Sequence, residues 1–175
     1  MKIEDHRQLL DPLTSSGFIG ECFHEEAEFQ DHVVGSAFLE LVTFLGCSPN
    51  ISLAPQDDTG QGFCFIRLHK FNVLPRLFSG SNSVAPHCKR CHQKRNEWFE
   101  ILETRNEAGL CTQCTRMDLV DLLTWRKRAA LTQLAIEVMN IYPHEAVPSP
   151  ILIGQLEKYS GVRWGHAYLQ EDRNA

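Results

Sequence analysis

The 175-residue chain has no run of about eighteen apolar residues and no basic start backed by an apolar stretch, so neither a membrane helix nor a secretory leader is expected. The expectation is a cytoplasmic protein. It has no internal repeat, heptad or low-complexity tract, which excludes solenoids, coiled coils and tail-like disorder. Positive charge is scarce in the first half: residues 1–86 carry 5 basic and 11 acidic side chains, whereas 87–140 carry 9 and 7. A net charge of −5 does not attract nucleic acid as a whole. Only Lys89-Arg90, Lys94-Arg95 and Arg126-Lys127-Arg128 could do so locally. Two catalytic strings fail for want of context. Asp58-Thr59-Gly60 has no apolar flanks and no second copy to share a proton. Gly60-Gln61-Gly62 precedes a strand pattern, where a phosphate cradle needs a helix. An even cysteine count is lacking too. Of the seven cysteines, Cys22, Cys47 and Cys64 are scattered among apolar residues and read as buried, unreacted thiols of a reducing compartment.

The other four are arranged. Cys88-Lys89-Arg90-Cys91 and Cys111-Thr112-Gln113-Cys114 are two Cys-x-x-Cys pairs separated by nineteen residues, a spacing that lets four thiolates close a tetrahedral site. A structural Zn²⁺ held by Cys88, Cys91, Cys111 and Cys114 is the expected cofactor. The same sulfurs could hold iron, form two redox dithiols or pair as disulfides. Each Cys-x-x-Cys makes a short turn aiming both sulfurs one way, so the segment between must double back. Trp98 to Glu103 alternates like a strand, and Arg105-Asn106-Glu107-Ala108-Gly109 supplies turn chemistry. Thr115 followed three residues later by Asp118 is a capping-box variant that predicts a helix start. Knuckle, hairpin and helix resemble the treble-clef type of zinc finger over residues 87–130. His92 and Thr115 stand where the commonest knuckle pattern has glycine. Four thiolates on a divalent ion leave a charge of −2, which the basic neighbours can offset.

Around this module the pattern predicts an α+β fold, with a small antiparallel sheet packed on helices. A short helix limited by Pro12 is expected over residues 4–13. A longer one is expected from Glu25 to Leu45, with Val34, Ala37, Phe38, Leu41, Val42 and Leu45 on one face. Ile51–Ala54 and Phe63–His69 read as strands. Ser79-Gly80-Ser81-Asn82-Ser83 with Pro86 reads as a linker. The division is then 1–78 as an amino-terminal α+β unit, 79–86 as linker, 87–142 as zinc module plus long helix, and 143–175 as a closing helix and tail on the same body. The apolar series from Met117 to Met139 covers more than half a helix circumference, so it must pack on something, either as one long helix or as a helix pair broken at Arg126-Lys127-Arg128. Ser149-Pro150 and Gly161 frame a last helix.

Three functions are compatible with these features. A closed four-cysteine site suits a non-catalytic accessory or adaptor protein presenting a surface to a protein partner or a second copy of itself. Lys89, Arg90, Lys94, Arg95 and Trp98 could form a basic, aromatic platform for nucleic acid. An enzyme would draw on His24, Glu28, His32 and His69. Glu21-x-x-His24 has the spacing of carboxylate-bridged metal sites, but a second such element is missing.

Overall fold

The computed structural model describes residues 5–46, 51–54, 62–96, 108–115, 117–119, 125–142 and 144–170. In chain order the elements are α1 Arg7–Ser15, β1 Ile19–Glu25, β2 Phe29–Val34, α2 Phe38–Leu41, β3 Val42–Phe44, β4 Phe65–His69, β5 Arg76–Ser79, β6 Ala108–Leu110, β7 Met117–Leu119, β8 Ala129–Thr132, β9 Ile136–Met139, β10 Ala146–Pro148 and α3 Pro150–Ser160. The class is α+β with a small antiparallel sheet, as expected. No helix among the described residues is long and apolar enough to cross a membrane.

The chain forms two compact units: residues 1–75 with 133–166, and residues 76–132 with 167–175. In unit 1 a four-stranded sheet runs β1-β2-β4-β9, every neighbouring pair antiparallel. Alternation along the strands sends Ile66 and Leu68 to one face, where Ile66 joins Leu9 and Leu13 of α1 and Leu152 and Leu156 of α3 in the core. β3 pairs with β10. The helix predicted from Ser149-Pro150 and Gly161 is present as α3. The Ser149 hydroxyl accepts the Leu152 N–H at 3.2 Å, and Gly161 closes the helix at φ 68°.

Two segments expected as helices are largely strands. Between Glu25 and Leu45 only the four residues of α2 are helical; Phe29–Val34 is a strand paired on both sides. Phe29, Val33 and Val34 suit a half-buried pleat, and sheet pairing overrides a helical count in which Asp31 and His32 fell as surface residues. The chain turns out of β2 at Gly35, where a Cβ would overlap the Gly17 carbonyl, so only glycine permits this crossing. From Met117 to Met139 the described residues form β7, β8 and β9. In β8 and β9 the apolar residues on every side of the helical wheel mark strands with both faces partly covered. Pro12 does not limit α1 but lies inside it, with Leu9 and Leu13 anchoring the helix in the core. Ile51–Ala54 contributes a single bridge, Ser52 to Phe63.

Unit 2 has two small ladders, β5 with β8 and β6 with β7. The segment 79–86 lies within it. There the Ser81 N–H donates to Gln170 O at 2.9 Å, Asn82 Nδ2 donates to Tyr168 O at 2.8 Å, and the Gln170 N–H donates to Asn82 Oδ1 at 3.0 Å. Gly80 lets the tail approach, since a Cβ would meet the Gln170 backbone.

Candidate metal centre

Both Cys-x-x-Cys pairs sit at hairpin tips. Around the first, His87 bridges Lys94 and the Cys88 N–H donates to Gln93 O at 2.9 Å; around the second, Leu110 pairs with Met117 across β6 and β7. Each turn is closed in the same way. The N–H of the residue after the second cysteine reaches back to the carbonyl of the first, His92 to Cys88 at 2.9 Å and Thr115 to Cys111 at 2.8 Å. Those two residues take the left-handed conformation, at φ 59° and 55°, so the glycine position of the commonest knuckle keeps its backbone without its glycine. The helix expected at Thr115 is not there. Its hydroxyl donates to Cys114 O at 2.8 Å, and the strand β7 follows. Trp98–Glu103 and residues 105–107 of the expected turn lie outside the described residues, whereas Ala108 and Gly109 belong to β6.

The four sulfurs converge. All lie within 4.8 Å of one another, with Cys88 to Cys114 at 3.8 Å and Cys91 to Cys111 at 3.6 Å. A tetrahedron of sulfurs at metal–sulfur bonds of about 2.3 Å has edges of roughly 3.8 Å. A disulfide would bring a pair to about 2.05 Å, and all four are free thiols. Cys88 and Cys111 are fully buried, Cys91 and Cys114 half-buried. Backbone donors already point at the leading sulfurs. The Arg90 N–H lies 3.4 Å from Cys88 Sγ, and the N–H groups of Cys114 and Gln113 hold Cys111 down to about 7 against the cost of burial. The Gln93 N–H favours the Cys91 thiolate, but burial and competition with the neighbouring sulfurs push that thiol up to about 12. Four soft donors in this geometry, with N–H groups ready to stabilise their charge, fit a thiophilic divalent ion.

The basic residues named from the sequence separate on folding. Lys89, Arg90 and Lys94 are exposed, whereas Arg95 is 1 % exposed and its guanidinium is enclosed by protein. Trp98 lies outside the described residues. Burial, with the charges of Arg126, Lys94 and His92, lowers His87 below the usual histidine range. Of the remaining cysteines, Cys64 is buried and pushed up to about 12 by desolvation, as an inert core thiol should be. Cys22 is exposed, against expectation, because it stands on the edge strand β1; Cys47 lies outside the described residues.

The histidine and carboxylate group of unit 1 does not assemble. Asp31 and His32 are neighbours in a strand and face opposite sides of the sheet. His24 Nδ1 lies 3.3 Å from Asp31 Oδ2, while His32 Nδ1 faces Gly20 O at 3.1 Å on the core side. His69 Nε2 pairs with Glu137 at 2.7 Å, and Glu28 lies in the turn between β1 and β2. Among the described residues the four cysteines are the one group placed to share a metal ion. Sequence reasoning missed a row across the outer sheet face, His24, Asp31, Arg67 and Glu137, aligned strand by strand. A bulge at Phe23 brings His24 into that row. Arg67 forks onto Asp31 at 2.8 and 2.9 Å and stacks 3.9 Å over the Phe29 ring. Burial alone would raise the Asp31 carboxyl; the Arg67 bonds and His24 outweigh it and hold it below the ordinary range. Asp58-Thr59-Gly60 lies outside the described residues. Compared with known protein families, curated proteins and solved structures, the chain matches none.

Proposed function

We propose that the chain is a zinc-binding, non-catalytic protein in which four thiolates hold two hairpin tips together and so fix a surface for a macromolecular partner. The observation that supports this is the closure of the ligand set: four sulfurs from two turns, all within 4.8 Å. In a tetrahedral zinc site they fill every position, so no substrate or water binds the ion. Zinc would supply charge neutralisation and cross-linking; the chain's own knuckles supply the geometry and the backbone N–H groups that stabilise thiolate. An enzymatic reading has less support, because the titratable groups of unit 1 are spread over two sheet faces and engaged pairwise.

The test is metal analysis of purified protein with an absorption spectrum. One zinc per chain in a colourless protein is expected, lost in the Cys88→Ser/Cys111→Ser double variant. Iron with visible bands, or a metal-free protein that folds unchanged, would overturn the reading.

A further inference from the structure

Two basic clusters far apart in sequence meet in unit 2. Ala85, two residues before His87, packs against the cluster of Trp125 and Ala129, and His87 bridges Lys94 in the first knuckle. The turn that carries Arg126 is therefore tied to the segment that leads into the knuckle of Lys89, Arg90 and Lys94, with Ser83 Oγ donating to Arg128 O. Lys89, Arg90, Lys94, Arg126, Lys127 and Arg128 are all exposed. None of the ion pairs formed among the described residues uses Lys89, Arg90, Lys94, Arg126 or Arg128. Charge is polarised between the units: unit 2 carries 11 basic and 8 acidic side chains, unit 1 carries 6 and 14.

The backbone adds an independent observation. The Arg128 N–H donates to Trp125 O at 3.0 Å, and the two residues between, Arg126 and Lys127, have φ of 51° and 61°. That is the pattern of a type I′ turn, whose central positions favour Asn-Gly because L side chains resist the left-handed region. The turn is gripped from both sides, Ser83 Oγ donating to Arg128 O and the Tyr168 N–H to Lys127 O at 2.8 Å. Offsetting the charge of four thiolates accounts for basic residues near the knuckle. It does not account for an Arg-Lys pair at two positions where Asn-Gly would relieve strain. Strain that persists because its surroundings enforce it marks positions kept for use.

We infer that the first knuckle and the Arg126-Lys127 turn together form a surface for the phosphate backbone of a nucleic acid. The inference rests on the zinc reading, since the sulfur cluster holds the knuckle in place. Arginines at 90, 126 and 128 can fork onto phosphate oxygens, and the lysines add point charges. Trp125 is buried, so among the described residues recognition on this face is of backbone charge and not of stacked bases.

The experiment uses the full chain, fluorescence anisotropy, labelled single-stranded and duplex oligonucleotides of about 20 nucleotides, and polyglutamate as an acidic polypeptide probe. Oligonucleotide binding at low salt is expected, weakening with salt by about 0.7 log units of affinity per log unit of salt for each single-strand phosphate contact. The Arg126→Asn/Lys127→Gly variant should keep its zinc, melt no lower than the parent, and lose roughly 1.4 of that slope. Lys89→Glu/Arg90→Glu should weaken binding further. A zinc-loaded protein that ignores both oligonucleotides, or that binds polyglutamate as tightly, overturns the inference while leaving the zinc reading standing. Zinc-free protein that still binds, with the same variant effects, overturns the zinc reading and its link to this surface.

Discussion

The described residues of the two units differ in how much apolar surface they bury together. Twelve buried residues form the described unit 1 core, with further apolar side chains packed around them. In unit 2 the described apolar cluster has two buried residues, Trp125 and Ala129, flanked by Leu77, Ala85 and Leu131. Three-residue ladders such as β6 with β7 are not stable alone in water. Among the described residues of unit 2, the sulfur cluster lies where two hairpin tips meet. On the proposed zinc reading, the difference is that between burial in one unit and cross-linking by an ion in the other.

Four substitutions or treatments would break or sharpen the contrast. Removing the ion with a chelator, or making the Cys88→Ser/Cys111→Ser variant, should cost unit 2 on the order of 10 kcal/mol and leave unit 1 folded, read by circular dichroism and limited proteolysis. In unit 1, Ile66→Ala empties a fully buried position and should cost about 2–5 kcal/mol by urea denaturation, with bound zinc unchanged. Asp31→Asn removes the carboxylate that both Arg67 and His24 face, for about 1–3 kcal/mol at neutral pH. Because the Asp31 pKa is depressed, its contribution is present above the ordinary carboxylate pKa and is lost as pH falls through the lowered value. The gap between parent and variant should therefore close in acid. Ser149→Ala should cost about 1 kcal/mol, the loss of a single helix cap in unit 1.

Signposted parts of the architecture were legible in the sequence. Ser149-Pro150 and Gly161 bound α3 where expected, and the two Cys-x-x-Cys pairs named the sulfurs that converge. What misled was unmarked turns. His92, Thr115, Arg126, Lys127, Asn140 and His144 all take positive φ without being glycine, so the turns there lack the residue that announces one. The basic run Arg126-Lys127-Arg128 was legible as a break in the apolar series from Met117 to Met139, but nothing marked it as a left-handed turn beside strands where a break between two helices was expected. The row from His24 to Glu137 was invisible for another reason. It depends on register across four strands and on one bulge, neither of which a linear pattern encodes.

Hydrogen exchange read by mass spectrometry, on metal-loaded and chelated protein, tests the central claim most directly. Protection should vanish from residues 76–96, 108–119 and 125–132 on chelation while β2, β4 and α3 keep theirs. Equal loss in both units, or protection unchanged throughout, would contradict the account of an ion holding one unit and a hydrophobic core the other.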